Sequence, residues 1–470
     1  MSTSPSGIYE KGIIDPGVPV SNPTSPFWLS SPSKISTLQS PWLSTADIII
    51  IGSGMTAASL SRTLLNNPRH ADAKIILLEA RTLCSGATGR NGGHIKAQSP
   101  GFWHERKESY GVEEAVKIME FEHRHLGEMV KVIKELGLEC DLQEIEGLDV
   151  YHDAKVFAHA VSAVKEMRNV SPTLGARYTI YTDKAELAKR QVGGPNIVGA
   201  IGMKAASMWP YKMVTGILER LVKQHKGRFS IQTNTTVKAI TNNKSDEYTT
   251  VHTSRGDIKA KIVVHATNAW VGHLIPELRP YISPVRANVQ RRRAQAANNA
   301  NDTSKEKIET SFSWWLRYGE HDYDYLIHRP DNSFILGRSN TGRRATANDS
   351  EVDFLPHAHL KGVTPQVFDF KDAGFEKGEV THAWSGPVAF THDGNQFVGR
   401  VPFPGYQRQW VAAGFQGIGM VRAFLSAEML ARLIGGEELE ERYPRSLIAE
   451  EKRFGRLQGT GGGSAERSKL

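Results

Sequence analysis

A glycine turn early in the chain has the residue types and spacing to bind phosphates. It has the pattern G-x-G-x-x-A and consists of Gly52, Ser53, Gly54, Met55, Thr56 and Ala57. The first glycine makes the bend, the second admits a pyrophosphate close to the backbone, and the alanine lets helix and strand pack closely. The turn follows the β-branched run 47–51 and opens a helical stretch, whose N-terminus offers N–H groups and a positive dipole end. The pattern predicts a dinucleotide site, with an ordinary β-α-β turn as the alternative.

An acid at the end of the next apolar run supports this prediction. Residues 75–78 are apolar and lead into Glu79, 25 residues after Gly54. A carboxylate at this place accepts hydrogen bonds from ribose hydroxyls. The neighbouring Ala80 and Arg81 are predicted to lie at the same site.

A second glycine-rich loop directly after this acid distinguishes between two dinucleotides. It contains Ser85, Gly86, Ala87, Thr88, Arg90, Asn91, Gly92 and Gly93, and His94 follows. NAD does not require this loop, because its nicotinamide lies toward the other half of a doubly wound sheet. An extended FAD, with its ribityl chain and flavin, requires a second close backbone approach. The loop therefore favours FAD, and a flexible glycine loop is the alternative.

The stretch 85–93, SGATGRNGG, resembles the D-amino-acid oxidase superfamily of FAD-dependent oxidoreductases. It is most similar to the γ-glutamylputrescine oxidase-like branch, which includes fungal homologues, and the resemblance covers about residues 44 to 440. The resemblance implies an α/β fold. The expected architecture is a two-domain flavoprotein whose Rossmann-like FAD-binding domain is interleaved with an antiparallel-sheet-plus-helix substrate domain.

Composition and apolar periodicity give the expected domain boundaries. The first stretch is rich in Pro and Ser and cannot form a core, although it could lie across a larger domain as an arm. The expected division is an N-terminal arm at 1–43, an FAD-binding domain at 44–100, 199–275 and 380–440, a substrate domain at 101–198 and 276–379, and a C-terminal tail at 441–470.

Two later stretches match places where the family contacts its cofactor. In the family the valine of an NTTV-like stretch touches the adenine end, which implies this role for Val237. An ATNAW stretch, which lies near the cofactor in the family, supplies Ala266, Thr267, Asn268 and Trp270. The alternative for the second stretch is a buried strand that ends in a turn.

A late glycine turn repeats the strand–turn–helix order. The cofactor residues predicted there are Gly386, Asp393, Gly414, Phe415, Gly417, Ile418, Gly419 and Met420. In the family this turn faces the pyrimidine edge of the flavin, where a positive helix N-terminus stabilises negative charge on the reduced ring. A chance glycine turn is the alternative.

The substrate side gives fewer signals. Aromatic, β-prone segments at 314–318, 323–327 and 333–338 predict a sheet like the antiparallel one that roofs the flavin in the family. Arg338 is the predicted carboxylate clamp, because a guanidinium binds a carboxylate through two hydrogen bonds. The alternatives are Arg317, His328 and Arg329, although each of them taken alone is more typical of a surface residue.

Oxygen activation and flavin attachment depend on residues in which this chain departs from the family. Sarcosine-oxidase-like members place a lysine over the flavin, but residues 325–338 contain none. His328 or Lys96 could replace it as the catalytic cation, which leaves oxidase and dehydrogenase open.

No cysteine occurs near Trp384, where those relatives bond the flavin covalently. We therefore expect non-covalent FAD, with His94 as its hydrogen-bonding neighbour.

Composition is typical of a globular protein. The 470 residues suffice for two cores, and 39% are hydrophobic and 23% charged. No apolar run approaches the ~18 residues of a membrane span. The net charge is +8, but the dense basic run 291–293 is interpreted as a solvated loop, so no nucleic-acid partner is expected.

Cysteine and histidine spacing predicts neither disulfides nor a metal site. Cys84 and Cys140 are too few for a disulfide framework. His123 and His125 lie two positions apart on a predicted helix, point to different faces, and are expected at the surface.

The C-terminal tripeptide is a targeting signal. Ser468, Lys469 and Leu470 form the peroxisomal import address and follow the flexible spacer 459–464. The start of the chain lacks the layout of a secretory signal. We expect the peroxisomal matrix as location and the import receptor as partner.

Together these features predict an FAD enzyme that oxidises the C–N bond of an amine or amino acid to an imine. Oxygen is the expected acceptor and hydrogen peroxide the expected product. Two alternatives stay open. One is an FAD enzyme that acts on a C–O bond or uses another electron acceptor, and the other is a non-catalytic, FAD-stabilised binding protein.

Overall fold

The computed structural model describes residues 13–242, 247–293, 311–338, 345–368 and 378–459, together with 2–3 and 10–11. Within these ranges two large sheets carry the architecture, and helices cover them. A separate pair of short strands, Ser2–Thr3 and Glu10–Lys11, joins neither sheet.

The eight-stranded sheet is parallel where the first glycine turn lies. Thr45–Ile51 runs between two parallel neighbours, and the register places Ile50 opposite both Leu77 and Val264. Strands that are buried on both faces are continuous apolar runs, as here. The order is Val237–Asn242, Thr249–Thr253, Gly256–His265, Thr45–Ile51, Ile75–Leu78 and Phe229–Gln232, with Gln409–Ala413 beside Gly256–His265 and Phe397–Arg400 beside Gln409–Ala413.

The nine-stranded sheet is mainly antiparallel and contains the aromatic segments. The three predicted strands form consecutive antiparallel pairs, so this prediction is confirmed. The order is Glu379–Thr391, Ile282–Arg293, Ser333–Arg338, Tyr323–His328, Phe312–Arg317, Gln143–Tyr151, Gly199–Ser207 and His94–Ile95, with Thr179–Tyr181 on Gly199–Ser207.

Helices cover the glycine turns. Met55–Leu65 packs against Pro210–Gln224 and Ala423–Ile434 in a core that includes Ala57 and Phe424. The other α-helices are Phe102–Tyr110, Val112–Glu135, Ala154–Val170, Pro172–Gly175, Lys184–Lys189, Val271–Leu274, Phe354–Lys361, Thr364–Val367 and Glu451–Gly459. Across the described ranges, none of the helices has the length and apolarity that crossing a bilayer requires.

Two strands lie in a different sheet from the one expected. Gly199–Ser207 and Glu379–Thr391 were assigned from sequence to the FAD-binding domain, but both belong to the nine-stranded sheet. Their partners decide this membership, because Gly199–Ser207 pairs along its full length with Gln143–Tyr151 and Glu379–Thr391 pairs with Ile282–Arg293. Local sequence patterns carry no information about such distant pairing.

Two surface predictions are wrong. Arg291 and Arg292 are 4% exposed, because residues 291–293 end a strand rather than form a loop. Arg291 forms an ion pair with Asp331 at 2.7 Å. His125 is buried, and its Nε2 accepts a hydrogen bond from the backbone N–H of Leu425.

The N-terminal arm contacts both sheets, through Thr24 at Ser385 and through Gln39 at Gln232. The Trp28 side chain is fully buried and lies in the same core as the first glycine-turn helix. Its carbonyl accepts a hydrogen bond of 2.7 Å from Trp209 Nε1, and its own Nε1 donates to the carbonyl of Asn91. The arm therefore builds no core of its own but contributes aromatic side chains to one formed by other elements.

Candidate active site

One cavity runs from the carboxyl ends of the parallel strands to the nine-stranded sheet. Open α/β sheets bind ligands at this edge. The first and last glycine turns share the cavity, since both Gly54 and Gly417 line it. The other predicted cofactor residues on its wall are Gly52, Ser53, Met55, Thr56, Glu79, Ala80, Arg81, Gly86, Ala87, Thr88, Arg90, Asn91, Gly92, His94, Val237, Ala266, Thr267, Asn268, Trp270, Gly386, Phe415, Ile418, Gly419 and Met420.

Gly52 brings the first turn against a distant strand end. Its φ is +103°, a conformation that favours glycine, and a Cβ there would lie 2.6 Å from the carbonyl oxygen of Ala266. A glycine is therefore required by both the backbone conformation and the close approach.

The two early loops are joined by hydrogen bonds. The backbone N–H of Met55 donates to Thr88 Oγ1 at 3.0 Å. Ser53 Oγ donates to Glu79 Oε2 at 2.5 Å and accepts from the N–H of Cys84 at 2.7 Å. These bonds fix the Glu79 carboxylate on the cavity wall, where a ribose would meet it.

Arg90 fixes the second loop as well as lining the cavity. Its Nε donates to the carbonyl of Ser85 at 2.7 Å and lies 3.2 Å from Asp349 Oδ2. Asp349 also binds Arg81 at 3.0 Å. Burial lowers the pKa of Arg90 to about 10, so the guanidinium stays charged at neutral pH.

The late turn is held by the ATNAW stretch. Asn268 Oδ1 accepts a hydrogen bond of 3.0 Å from the N–H of Gly414. Gly417 has a φ of +70° and precedes the 3₁₀ turn Gly419–Val421, which leads toward the helix Ala423–Ile434. Segments near residues 52, 266 and 414 therefore meet at one site.

Some predicted cofactor residues do not line the cavity. Ala57 is buried in its helix, where it allows close packing. Ser85 and Gly414 act through the backbone bonds described above, and Gly93 packs against Trp28. Asp393 binds Arg453 at 2.7 Å instead.

Aromatic side chains form the cavity wall on the nine-stranded sheet. Trp315 and Tyr323 stack with ring centroids 4.7 Å apart, and both line the cavity. Tyr325 lies against Gly92 and Gly337, where a Cβ on either glycine would overlap its ring. The glycines therefore admit this ring to the wall.

Lys96 is the buried cation of this wall. Its Nζ lies 4.0 Å from the Trp315 ring centroid and 3.0 Å from Asp149 Oδ2. The other oxygen of Asp149 accepts from Arg317 Nε at 2.8 Å. Burial lowers the pKa of Lys96 to about 8.

His94 is a neutral neighbour of Lys96. Its Nδ1 accepts a hydrogen bond of 2.8 Å from Trp315 Nε1, so the ring proton lies on Nε2, 2.8 Å from Ser313 Oγ. Burial lowers the pKa of His94 well below its ordinary value. His94 therefore orients Trp315 and has both ring nitrogens engaged.

Two predicted catalytic residues lie away from the cavity. Arg338 is bound by Asp322 at 2.7 Å and Asp324 at 2.9 Å, so its guanidinium is already occupied by carboxylates. His328 is buried, stacks on Phe334 and bonds Asn332 at 2.9 Å. The predicted carboxylate clamp and the His328 cation are corrected accordingly, because side chains alternate along a strand and these two lie on the face opposite to Tyr323 and Tyr325.

The alternatives to Arg338 also have partners elsewhere. Arg317 lies behind the aromatic wall, 4.6 Å from the Tyr323 ring centroid, and pairs with Asp149. Arg329 pairs with Asp141 at 2.7 Å. Neither lines the cavity.

Buried polar atoms on the cavity wall indicate whether the cavity suits FAD. Thr267 Oγ1 and Trp270 Nε1 are buried on the cavity wall and have no hydrogen-bond partner among the residues that the structure describes. Buried polar groups in native proteins are normally paired. A polar dinucleotide in the cavity supplies such partners, and the glycine backbones and the Glu79 carboxylate match its phosphates and ribose.

Neither cysteine lies on the cavity wall. Cys84 and Cys140 are free and buried. The described ranges contain no cluster of three or more His, Cys, Asp or Glu side chains that could hold a metal ion.

Three parts of the cavity wall are not among the residues predicted from sequence. Tyr323 and Tyr325 share a face because they are two apart on a strand, a spacing that could have indicated the wall. The other two parts are residues next to predicted ones and residues of the N-terminal arm. Neither part carries a sequence motif. The missed residues are Gly17, Val18, Pro19, Ile51, Leu78, Thr235, Thr236, His273, Leu274, Ala287, Val289, Trp315, Tyr323, Tyr325, Pro387, Val388, Val421 and Ala423.

Comparison with known families decides the assignment. Residues 47–433 match the DAO family, described as FAD dependent oxidoreductase. The chain belongs to this family. It is therefore an FAD-dependent oxidoreductase, and the family expected from the sequence is confirmed.

Curated DAO-family relatives are distant but match over most of the chain. A probable oxidoreductase OrdL from Rhizobium meliloti is 22% identical over 400 residues, 84% of each protein. A γ-glutamylputrescine oxidoreductase from Escherichia coli is 24% identical over 398 residues, again 84% of each. Both are consistent with the branch expected from the SGATGRNGG loop.

Solved structures confirm the α/β two-domain fold. Glycine oxidase from Geobacillus kaustophilus superposes with a TM-score of 0.66 at 17% identity, over 84% of this chain and 96% of that one. L-proline dehydrogenase from P. horikoshii gives 0.66 at 18% identity, over 88% and 99%. At this identity the likeness concerns the fold.

Proposed function

We propose that this chain is an oxidase that oxidises the C–N bond of an amine or amino acid, which gives an imine, and passes the electrons to oxygen. FAD, when bound, supplies the two-electron acceptor. The substrate loses a hydride from carbon and a proton from nitrogen. Oxygen gains two electrons and two protons and becomes hydrogen peroxide, and water hydrolyses the imine to a carbonyl compound and an amine or ammonia.

The position of the buried cation Lys96 is the main support for oxygen as the electron acceptor. Its ammonium lies on the cavity wall beside Trp315, in the part shared by the second glycine loop and the nine-stranded sheet. A fixed cation in a water-poor site stabilises negative charge that develops on oxygen. Lys96 thus takes the role that the sequence left open between Lys96 and His328.

The wall chemistry and the relatives support an amine substrate. Trp315, Tyr323 and Tyr325 line the cavity with aromatic rings against which the carbon chain of a substrate can pack. A γ-glutamylputrescine oxidoreductase is among the relatives, and a glycine oxidase shares the fold. His94 is neutral and adds no second charge beside Lys96, and the positive charge of Lys96 favours the neutral amine, the form whose lone pair assists hydride loss.

Anaerobic reduction tests the reaction. Purified holoprotein is mixed without oxygen with amines, amino acids and hydroxy acids, and the visible absorbance of the flavin is followed until it is constant. We expect bleaching by at least one amine or amino acid, and peroxide in stoichiometric amount after air is admitted. Bleaching by hydroxy acids alone contradicts the C–N assignment, and bleaching without peroxide contradicts the oxygen assignment.

The same proposal includes the peroxisomal matrix as location. The tripeptide Ser468-Lys469-Leu470 is the import address and lies outside the described residues. An enzyme that releases hydrogen peroxide suits a compartment that contains catalase. The proposed partner is the peroxisomal import receptor.

A further inference from the structure

Part of the N-terminal arm segment 13–29 lines the cavity. Gly17, Val18 and Pro19 line the cavity, although the family match begins only at residue 47. These residues therefore add a wall to the site that lies outside the matched part of the chain.

The first half of this segment is anchored near the end of the cavity that contains Glu79. Asp15 binds His273 at 2.9 Å and Arg279 at 2.8 Å, and His273 itself lines the cavity. The carbonyl of Val20 accepts a hydrogen bond of 3.3 Å from Arg81, two residues after Glu79. Residues 15–20 thus run between two points of the cavity wall, His273 and Arg81.

The second half is anchored to the glycine loop 85–93. Thr24 Oγ1 accepts from Arg90 Nη1 at 3.0 Å and from the N–H of Ser385 at 3.0 Å. The N–H of Thr24 donates to the carbonyl of Asp349 at 2.8 Å. Because the two halves are fixed at separate places, the residues between them are held across the opening.

Val18 is the apolar residue of this crossing. It is 42% exposed although it lines the cavity, so its side chain faces space that protein atoms do not fill. The same part of the cavity is lined by Glu79 and Val237, which match the ribose and adenine contacts of the family. An adenosine group there would cover an apolar side chain and gain contact with it.

We propose that residues 15–20 are a strap that closes the FAD site over the adenosine half of the cofactor and slows its release. In this arrangement the strap is a cofactor-binding element supplied by the arm. Asp15 and Val20 attach the strap, and Val18 and Pro19 contact the nucleoside.

Matched truncations test the strap. Deletion of residues 2–20 removes it but keeps Thr24 and Trp28, whereas deletion of residues 2–12 keeps it and serves as control. Each holoprotein is diluted, and released FAD is followed by its fluorescence. We expect FAD release to be about tenfold faster or more without the strap, as the loss of one buried aliphatic contact predicts, and unchanged in the control.

A pair of point variants keeps the test decisive if the larger deletion fails to fold. Val18→Asp places a charge on the strap, and Ile13→Asp makes the same change at a side chain that is 74% exposed and does not line the cavity. Titration of apoprotein with FAD gives the Kd, and thermal unfolding of the apoprotein checks the fold.

We expect the Kd for FAD to rise by about tenfold or more in Val18→Asp. The Kd of Ile13→Asp should equal that of the wild type. Equal FAD affinity of Val18→Asp and wild type, or an equal loss in Ile13→Asp, overturns the proposal. No substrate is present in either assay, so the result does not depend on whether the enzyme oxidises amines.

Discussion

The ammonium of Lys96 and the guanidinium of Arg317 bind opposite oxygens of the Asp149 carboxylate, at 3.0 and 2.8 Å. All three side chains are buried. One carboxylate between two cations leaves one net positive charge behind the cavity wall, which favours negative charge that develops nearby. Because Arg317 continues to pair with Asp149 when Lys96 is replaced, mutation of Lys96 does not leave that carboxylate unpaired.

Lys96→Met tests the role of the cation. We expect reoxidation of the reduced enzyme by oxygen to slow by about 100-fold or more, the usual effect of removing one preorganised charge-stabilising group. Anaerobic reduction by substrate should change much less. Stopped-flow measurement separates the two half-reactions. Lys204→Met, at an exposed position on a strand of the same sheet, is the control, and equal reoxidation rates in all three proteins contradict the role.

The pH dependence of reoxidation follows from the same residue. Burial lowers the pKa of Lys96 from 10.5 to about 8, so the ammonium is fully present below that pH and is lost above it. We therefore expect the reoxidation rate constant to fall as pH rises through about 8. Stopped-flow mixing of reduced enzyme with oxygen across this range measures it. The step should be absent in Lys96→Met, and a step that persists there belongs to another group.

FAD is predicted to be bound without a covalent bond. Cys84 and Cys140 do not line the cavity, and both ring nitrogens of His94 are engaged by Trp315 and Ser313. Acid precipitation of the holoprotein should therefore leave the flavin in the supernatant and a colourless pellet. A yellow pellet that retains flavin after washing contradicts this prediction.

Gly52→Ala should prevent formation of the cofactor site. The added Cβ meets the carbonyl of Ala266 at 2.6 Å, in a backbone conformation that alone costs about 1–2 kcal/mol for a non-glycine residue. We expect a loss of stability above about 4 kcal/mol or an unfolded, colourless protein. Gly405→Ala isolates the conformational cost, because Gly405 has a φ of +91° and nothing within 4 Å of a Cβ.

Urea unfolding of each apoprotein measures these differences. Gly405→Ala should lose about 1–2 kcal/mol and keep its FAD. If Gly52→Ala is no less stable than Gly405→Ala, the close approach to Ala266 does not limit the fold.

Removal of Leu470 tests the proposed location. A fluorescent protein fused to the N-terminus of the full chain should colocalise with a peroxisomal marker, because the C-terminal tripeptide is read only at the free end. The same fusion without Leu470 should be diffuse. Equal distribution of the two fusions contradicts the assignment.

Local sequence patterns predicted the glycine turns well because their chemistry is local. Gly52, Gly54 and Glu79 occur in an order set by one strand–turn–helix–strand unit, and all three line the cavity. The aromatic strands were also predictable, since alternation and turn residues within one segment determine them.

The remaining wall depends on pairings between distant segments. Gly199–Ser207 belongs to the nine-stranded sheet because it pairs with Gln143–Tyr151. Arg338 forms an ion pair with Asp324 on its own face of that sheet. A sequence pattern does not show which face of a strand meets a cavity built by other segments. For the same reason Arg338 was predicted as the carboxylate clamp, and the catalytic cation was left open between Lys96 and His328.

The contacts of Gly52 with Ala266 and of Asn268 with Gly414 have a consequence for biosynthesis. The ribosome must deliver nearly the whole polypeptide before these segments can meet, because contacts between distant segments form only after long loops close. We therefore expect flavin to be retained only after the late turn has been synthesised, because nascent products that end before this turn lack one wall of the pocket.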